Sequence, residues 1–427
     1  MRLSRERIIL KQGAVWAAHD ALTSFYLSAF AVSQGASNTV IGLLGSIPFL
    51  AVFLSEYVGV LLIEKLPRNI IVFITGVSAR ALWIVIGLLP FFLDSPIVGI
   101  VVVYFVSKFI EFLGDPAWTS LVGDAVDEKK RGLFFGRRNR VITFWNTVVV
   151  VIAGLFLSRY GNYSIVFAAG ALLGVWSGFL AKKVKLKELS HTHHTIKEFV
   201  HVKGEFLHFC LAIMVFQFGV MIAAPLFTVY ILKNLGMAVQ FVAFTTAVTT
   251  LSKFAFYPLI GKLADRFGDK VVSIISMVGI AFVPLMYVFV TQQPYWIFLI
   301  SIFAGVVWAG ADIAHFNMLL DLSKPDTRAV MAAEFNTLVS IPMAVAPFLG
   351  GLLADNAFVF LSGIPLVFVI SFIIRLFSVV PMMHLHEPRI HKESSVLEVI
   401  REVVIGYPSR GFSHSWRVFS KYAKRSS

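Results

Sequence analysis

Residues 115–139 read DPAWTSLVGDAVDEKKRGLFFGRRN, and residues 312–336 read DIAHFNMLLDLSKPDTRAVMAAEFN. Each stretch closes a long apolar run, and a shift of 197 positions aligns the second stretch with the first. The identical pairs are Asp115 and Asp312, Ala117 and Ala314, Asp124 and Asp321, Arg131 and Arg328, and Asn139 and Asn336. Three of these pairs are charged, which is hard to obtain by chance in an apolar background. The pattern therefore indicates that the chain is an internal duplication.

The composition excludes an ordinary soluble protein. Of the 427 residues, 58% are hydrophobic and only 14% are charged, whereas soluble domains carry roughly a quarter charged residues. The mean hydropathy is +0.81, so lipid must cover apolar surface that a single core cannot hide. The single cysteine, Cys210, lies in an apolar run and allows no intramolecular disulfide. The chain is therefore predicted to be a polytopic all-α membrane protein.

Apolar windows of about 20 residues predict twelve transmembrane helices in two six-helix halves. The first span carries Asp20 near its middle and is interpreted as an uncleaved helix rather than a signal peptide. The predicted organisation is an N-terminus at 1–10, a first half at 11–182, a linker at 183–204, a second half at 205–385 and a tail at 386–427. The spans are predicted, to within about 2–4 residues at each end, at ~11–33, ~38–63, ~69–92, ~96–115, ~141–159, ~163–181, ~206–232, ~237–260, ~271–291, ~294–315, ~333–355 and ~358–383.

The basic residues are concentrated on one side of the predicted membrane. Most of the 37 Lys and Arg residues fall in the N-terminus, in alternate loops and in the tail, whereas the remaining loops hold only Arg159 and Lys233. By the positive-inside rule, both termini of a multi-pass plasma-membrane protein are predicted to be cytoplasmic. The net charge of +13 is thus interpreted as a topology signal, and no nucleic-acid partner is expected. The basic, amphipathic tail is predicted to lie against anionic lipid headgroups of the bilayer.

The loop after the eighth predicted span reads GKLADRFGDK, at residues 261–270. It resembles the short cytoplasmic signature of the major facilitator superfamily: Gly, three residues, Asp-Arg, one residue, Gly and then basic residues. Gly261 and Gly268 would permit a tight turn between closely packed helices. Asp265 would interact with a helix N-terminus, and Arg266 would bridge helices through a forked hydrogen bond. The resemblance implies two parallel six-helix repeats that rock about a central site.

The first half carries a degenerate copy of this signature, GVLLIEKLPR, at residues 59–68. Its acid, Glu64, is one place late, and Pro67 stands near the position of the second Gly. The spacing from Pro116 to Asp124 at the end of the fourth span also resembles the family. From these likenesses we expect a gating motif at the cytoplasmic ends of the helices. Its residues are Gly59, Glu64, Arg68, Asp124, Gly261, Asp265, Arg266, Gly268 and Asp321.

The same resemblance implies that the first, fourth, seventh and tenth helices line a central cavity. A charged side chain at the bilayer centre costs roughly 2.5–3.5 kcal/mol on insertion scales, so each one needs a partner or water. The candidate substrate-binding residues are Trp16, His19, Lys108, Gln217, Trp308 and Asp312. Core packing is the alternative for the aromatic rings and for His19, and a gate or helix cap is the alternative for Asp312.

Asp20 is the favoured proton-coupling carboxylate, because its charge could change as the cavity opens to either side, and Gln217 stands at the duplicate position. The alternative is permanent pairing of Asp20 with Lys108 or Arg80. Glu111 is the second coupling candidate. Lys108 precedes Glu111 by three residues, so the two share a helix face and can neutralise each other. Lys108 is then either a structural partner of Glu111 or a counter-ion for an anionic substrate or for Asp20.

Two further buried charges, Arg80 in the third span and Arg375 in the last, are interpreted as interhelical hydrogen-bond clamps. No metal site is expected, since residues 191–194 (HTHH) read as a solvated linker with no cysteine nearby. The chain has no Walker loop, and neither a metalloprotease pattern nor a nucleophile elbow appears in or beside a span. Neither a cofactor nor an enzymatic activity is therefore expected.

These features favour a secondary active transporter of a small solute that works by alternating access, with protons as the coupling ion and a monomer as the functional unit. One alternative is an exporter of lipophilic cations, because the aromatic residues could bind an apolar or cationic ligand. Residues 346–351, APFLGG, resemble a pattern of drug/proton antiporters, although those carry it in the fifth span. A non-transporting membrane-embedded enzyme or receptor on the same scaffold is the other alternative.

Overall fold

The computed structural model describes residues 2–63, 65–126, 131–184, 202–290, 295–323, 327–356 and 363–386. The predicted linker and the predicted tail both fall largely outside these ranges. All regular elements in the described ranges are helices. In the first half they are α1 (Arg2–Leu22), α2 (Leu27–Ser33), α3 (Asn38–Ile63), α4 (Arg68–Leu88), α5 (Ile97–Leu113), α6 (Asp115–Ala125), α7 (Arg131–Tyr160) and α8 (Tyr163–Lys182).

In the second half the helices are α9 (Gly204–Met221), α10 (Leu226–Val229), α11 (Val239–Phe267), α12 (Asp269–Val288), α13 (Tyr295–Asp321), α14 (Arg328–Asp355), α15 (Ile364–Phe377) and α16 (Val379–Met383). A π-helical turn at Tyr230–Asn234 continues α10. Within the described part of the chain, eleven helical segments are long and apolar enough to cross a membrane. The remaining predicted span corresponds to α1 and α2, which an irregular backbone around Thr23 separates.

Five helices extend well past their predicted apolar spans. Helix α1 begins at Arg2, within the predicted N-terminus, α7 begins at Arg131 and α14 at Arg328, while α11 continues to Phe267 and α13 to Asp321. The predicted bounds followed the apolar windows, which end where charged residues begin. Arg, Lys and Glu are nonetheless good helix formers, so the backbone hydrogen bonds continue beyond the apolar part of each helix.

Helix packing repeats between the halves. Helix α4 packs against α5 and α8, and α1 packs against α7 and α8. In the second half, α12 packs against α13 and α15, and α9 packs against α14 and α15. A side-chain contact repeats as well, since Arg131 donates to the carbonyl of Gly123 and Arg328 donates to that of Leu320. These two contacts are related by the same shift of 197 positions, which supports the predicted duplication.

Two pairs of helices join the halves: α3 of the first half packs against α14 of the second, and α7 packs against α11. Small residues allow the close approach, because a Cβ at Gly42 would collide with the carbonyl of Pro347, and one at Gly351 with the carbonyl of Asn38. Between α7 and α11, the backbone amide of Gln240 donates to the Ser158 hydroxyl at 3.1 Å. These contacts lie at the end of the molecule opposite the basic loops, here called the closed end.

The other end, called the basic end, carries the loops before Arg68, Arg131 and Arg328. Here α7 and α11 separate, and residues of both helices line a cavity of about 400 Å³ between the halves. Its lining includes Asn139 and Arg140 from α7 and Lys253 and Tyr257 from α11. The structure therefore has a cleft between the halves that is shut at one end and lined by polar side chains toward the other.

Candidate functional site

Both halves begin with an interrupted helix, and the interruptions fall at matching places. Helix α1 ends at Leu22 and is followed by a 3₁₀ turn at Ser24–Tyr26. Helix α9 ends at Met221, and the chain turns at Pro225 before α10. Interrupted membrane helices leave backbone groups that must be satisfied by neighbours or by water, so they concentrate at cavities.

Asp20 and Gln217 each lie just before an interruption. Asp20 is half-buried and has no ion-pair partner among the described residues, although Lys108 and Glu111 lie within electrostatic range. The Gln217 side-chain oxygen is buried without a hydrogen-bond partner. The alternative in which Asp20 pairs directly with Lys108 or Arg80 does not describe this structure. The duplication thus brings a carboxylate without an ion-pair partner among the described residues, and an amide oxygen without a hydrogen-bond partner, to equivalent positions.

Lys108, Glu111 and Arg80 form a buried charge cluster. Lys108 Nζ lies 2.8 Å from Glu111 Oε2, and Arg80 Nη2 lies 4.0 Å from Glu111 Oε1. The expectation from spacing, that Lys108 and Glu111 share a face and pair, is confirmed. Glu111 therefore already has a cationic partner, whereas Asp20 has none within the part of the chain that the structure describes.

Arg80 links α4 to α8. Its Nη1 donates to the Ser177 hydroxyl at 2.8 Å and to the Gly174 carbonyl at 3.3 Å. Gly76 and Gly174 make room for the side chain, because a Cβ at either residue would stand within 3 Å of an Arg80 atom. The Arg80 Nε has no partner.

Arg375 forms the corresponding link in the second half, where it is 2% exposed. Its Nε donates to the Gly219 carbonyl at 3.1 Å, and its Nη1 donates to the Ile280 carbonyl at 2.9 Å. These contacts join α15 to α9 and α12. Arg80 and Arg375 therefore both make the interhelical hydrogen bonds that were predicted for them.

A pocket of about 290 Å³ lies wholly within the first half. Trp16 and Lys108, both predicted for the central cavity, contribute to its wall. Five helices, α1, α4, α5, α6 and α7, line it, together with Gly114 between α5 and α6. This cavity is called the N-half pocket. The lining residues are Gln12, Trp16, Val72, Thr75, Gly76, Arg80, Lys108, Glu111, Phe112, Gly114, Asp115, Trp118 and Arg138.

A second charge cluster joins α11 to α13. Asp312 Oδ2 lies 2.5 Å from Lys253 Nζ and accepts a hydrogen bond from the Tyr257 hydroxyl at 2.8 Å. The sequence predicts Asp312 as a candidate. It allows only a structural interpretation of Lys253, because an apolar run fixes no helical register, and it gives no signal for Tyr257. Lys253 also lines a neighbouring cavity of about 440 Å³ in which Trp308 and several threonines of α11 take part.

The two histidines of the cavity helices serve packing. His19 shares a hydrogen bond with the Gly170 carbonyl at 2.9 Å and lies edge-on to Trp83. His315 shares a hydrogen bond with the Ser273 hydroxyl at 3.0 Å and lies edge-on to Phe216. One ring nitrogen of each histidine thus has a hydrogen-bond partner within the fold, which favours the packing alternative for His19.

Residues of the expected gating motif in the first half come together at the basic end. Arg68 Nη1 donates to Asp124 Oδ2 at 2.7 Å and to the Ser120 hydroxyl at 2.6 Å. A Cβ at Gly59 would stand 2.6 Å from the Leu113 carbonyl oxygen, so this glycine permits close packing of α3 against the end of α5. Glu64 lies outside the described residues.

The second-half copy differs partly from expectation. Gly268 makes the turn between α11 and α12 with φ +93°, a conformation that favours glycine. The expected turn at Gly261 is wrong, because this residue lies inside α11 and a Cβ there would meet nothing within 4 Å. The exposed residues Asp265 and Arg266 occupy the last turn of α11, and Arg266 lies over the Phe267 ring.

Two other acids of this region have different environments. Asp269 stands where the family signature has Arg, and its fully buried carboxylate accepts a hydrogen bond from Asn317 at 2.9 Å. This contact ties the start of α12 to α13. Asp321 is exposed and is the last residue of α13. Only the tertiary structure could show that Asp269 is buried, since it lies in a polar loop signature next to Lys270.

Comparison with known proteins agrees with this architecture. A family model described as Major Facilitator Superfamily matches residues 14–204 and 209–423. YitZ of Bacillus subtilis (strain 168), an uncharacterised MFS-type transporter, is 26% identical over 132 residues, which cover 30% of this chain and 80% of YitZ.

Solved structures share the fold at low sequence identity. A mutant of the nucleoside transporter NupG has a TM-score of 0.71 at 14% identity and covers 90% of this chain and 99% of its own. A D-xylose–proton symporter has a TM-score of 0.70 at 14% identity, covering 92% and 99%. A bacterial homologue of the iron transporter ferroportin, in an inward-facing state, has a TM-score of 0.71 at 12% identity, covering 89% and 98%. The predicted fold of two six-helix halves is confirmed, and the chain belongs to the Major Facilitator Superfamily.

Proposed function

We propose that this chain is a proton-coupled secondary transporter that moves a small solute by alternating access. The observation that carries the proposal is the cleft between the halves: contacts of α3 with α14 and of α7 with α11 shut it at the closed end, and both halves line its cavity of about 400 Å³ toward the basic end. Because the basic loops favour the cytoplasmic side of a plasma membrane, the cleft faces the cytoplasm in this conformation. Transport then requires that the halves separate at the closed end and meet at the basic end.

Asp20 is the proposed coupling residue, with Glu111 as its assistant. Asp20 lies beside an interruption in α1, is half-buried and lacks an ion-pair partner among the described residues. Holding an unpaired carboxylate away from water is unfavourable, and protonation removes that charge. Glu111 has Lys108 as its partner and is thus less free to change its charge. A proton on Asp20 would therefore favour the conformation in which this region is closed off from water.

The proposed solute site is the cleft between the halves. Lys253 and Tyr257 line the cavity of about 400 Å³ in this cleft and both contact the Asp312 carboxylate, so both signs of charge lie beside it, which suits a small polar or zwitterionic solute. The neighbouring cavity of about 440 Å³ favours a second candidate, export of a lipophilic cation, because aromatic rings from both halves line it. Those rings belong to Phe25, Phe227, Tyr287 and Trp308.

Concentrative uptake into sealed proteoliposomes tests the proposal, with D-xylose, uridine, L-alanine and tetraphenylphosphonium as probes. Under an imposed pH gradient, we expect the unaltered protein to accumulate one class of probe. Asp20→Asn should abolish accumulation but retain exchange of labelled for unlabelled probe, because exchange requires no net proton movement. Asp94→Asn is the matched control, since Asp94 lies in an exposed turn between α4 and α5.

The possible outcomes separate the alternatives. Full gradient-driven accumulation by Asp20→Asn would show that this residue does not couple transport to protons. Accumulation confined to tetraphenylphosphonium would favour the exporter. A membrane-embedded enzyme would change its probe chemically, and a receptor would leave it on the same side of the membrane. The family and fold are those of transporters rather than of enzymes.

A further inference from the structure

The N-half pocket has an excess of positive charge. Its wall contains three cations, Arg80, Lys108 and Arg138, but only two carboxylates, Glu111 and Asp115. We propose that this pocket binds a small organic monocarboxylate that also carries a hydrogen-bond donor such as a hydroxyl group. One carboxylate would balance the lining charge.

Three buried polar atoms of the wall lack hydrogen-bond partners, and their chemistry defines the ligand. Arg80 Nε and Arg138 Nε carry N–H groups without acceptors, whereas Gln12 Oε1 is an acceptor without a donor. Gln12 is 4% exposed and Arg80 is 7% exposed. Unsatisfied buried donors and acceptors are rare in folded proteins, and a ligand that supplies both partners removes the deficit. A hydroxy-carboxylate offers an anionic acceptor for the arginines and a donor for Gln12.

The size and walls of the pocket suit a molecule of a few heavy atoms. Its volume is about 290 Å³, at the lower limit of the usual range for ligand sites. Trp16, Trp118 and Phe112 provide apolar walls, and the Arg138 guanidinium lies 5.7 Å from the centroid of the Trp118 ring. These contacts hold the cation beside a flat apolar surface, which is the environment expected for a short carbon chain with one charged end.

The pocket differs from the solute site proposed above. Every lining residue belongs to the first half, whereas the cleft cavity near Lys253 is lined by both halves. Asp20 does not line it. Equilibrium binding to detergent-purified protein needs no proton gradient, so failure of this proposal and failure of the proposed coupling role are distinguishable.

The test measures thermal stability of the full chain in detergent against three probes of similar size at equal ionic strength. Lactate carries both the carboxylate and the hydroxyl group, propionate lacks the hydroxyl group, and lactamide lacks the charge. We expect lactate to raise the melting temperature saturably, propionate to require about threefold to tenfold higher concentrations, and lactamide to have no effect.

Two arginines of α7 provide a matched pair of variants. Arg138→Gln removes a cation of the pocket and should weaken lactate binding by at least about tenfold. Arg137→Gln removes an exposed cation of the same helix that lines neither this pocket nor the cleft cavity, and it should leave lactate binding unchanged. Arg138→Lys keeps the charge and should bind lactate more tightly than Arg138→Gln, which separates a binding role from a folding defect.

A variant on α1 tests whether Gln12 recognises the hydroxyl group of the ligand. Gln12→Met retains a similar volume but removes the acceptor, so lactate should lose its advantage over propionate while propionate binding stays the same. The proposal is overturned if lactate gives no saturable stabilisation, if lactamide stabilises the protein as much as lactate, or if Arg137→Gln weakens binding as much as Arg138→Gln. Retention of the lactate preference in Gln12→Met would also contradict the role assigned to Gln12.

Discussion

The carboxylate of Asp355, the last residue of α14, caps the start of α3 at Thr39. Asp355 Oδ2 accepts hydrogen bonds from the Thr39 amide and hydroxyl, each at 2.6 Å, and Oδ1 accepts one from the Asn38 amide at 3.0 Å. The first amides of a helix lack partners within that helix, and the helix dipole favours an anion there. A residue of the second half thus completes a helix of the first half at the closed end.

Removing the charge of Asp355 should increase the fraction of molecules that are open at the closed end. We expect Asp355→Asn to weaken it by about 1–2 kcal/mol, which changes the ratio of open to closed molecules about fivefold to thirtyfold. Maleimide labelling of Ser46→Cys in a Cys210→Ala background reports this opening, because Ser46 is fully buried between the halves and contacts the Phe348 amide. Asp94→Asn, at an exposed acid of the same end, should leave the labelling rate unchanged. Equal labelling rates in both variants would show that the cap does not hold this end shut.

Close approach of α3 and α14 should tolerate no side chain at Gly42. A Cβ there would collide with the Pro347 carbonyl, so Gly42→Ala should cost about 1–3 kcal/mol in the conformation described here. Both a lower melting temperature and faster labelling of Ser46→Cys are expected. Gly132→Ala serves as control, because nothing lies within 4 Å of a Cβ at Gly132 and alanine favours helix. If the two variants behaved alike, steric closure at Gly42 would be excluded.

The Lys108–Glu111 pair should show strong energetic coupling. Removing one partner of a buried ion pair leaves an uncompensated charge, so Glu111→Gln and Lys108→Met should each destabilise the protein by about 3–5 kcal/mol. The double variant should lose much less than the sum of the two. Unfolding measurements on a double-mutant cycle give the coupling free energy. Simple additivity would mean that the pair contributes no direct interaction.

Arg375 should be important for the stability of the second half. Arg375→Met would leave the Gly219 and Ile280 carbonyls without this donor, at a cost of about 2–4 kcal/mol. The melting temperature of Arg375→Lys should lie between those of the unaltered protein and Arg375→Met, because an ammonium group cannot reproduce the planar fork of the guanidinium. Thermal unfolding checks the order, with Arg159→Gln at an exposed position as control. A melting temperature unchanged by Arg375→Met would contradict the clamp.

Local spacing predicted some contacts correctly. Lys108 and Glu111 are three residues apart on one helix, so their pairing followed from helix geometry alone. The Gly268 turn followed from the same kind of reasoning, because glycine adopts positive φ without strain. The reasoning failed at Gly261, seven residues earlier, because the helix continues through it. A glycine in sequence indicates where the backbone could turn, and the surrounding helix hydrogen bonds decide whether it does.

The sequence by itself determined the twelve-helix plan, the duplication and the side on which the basic loops gather, because hydropathy, repeated charges and loop charge are properties of the chain alone. Tertiary structure decided that Asp20 has no ion pair among the described residues. It also decided that Lys253 meets Asp312, and that Asp355 caps α3. These pairings join residues on different helices, so they depend on the rotation and depth of each helix. Packing between helices fixes both, and an almost uniformly apolar sequence leaves them open.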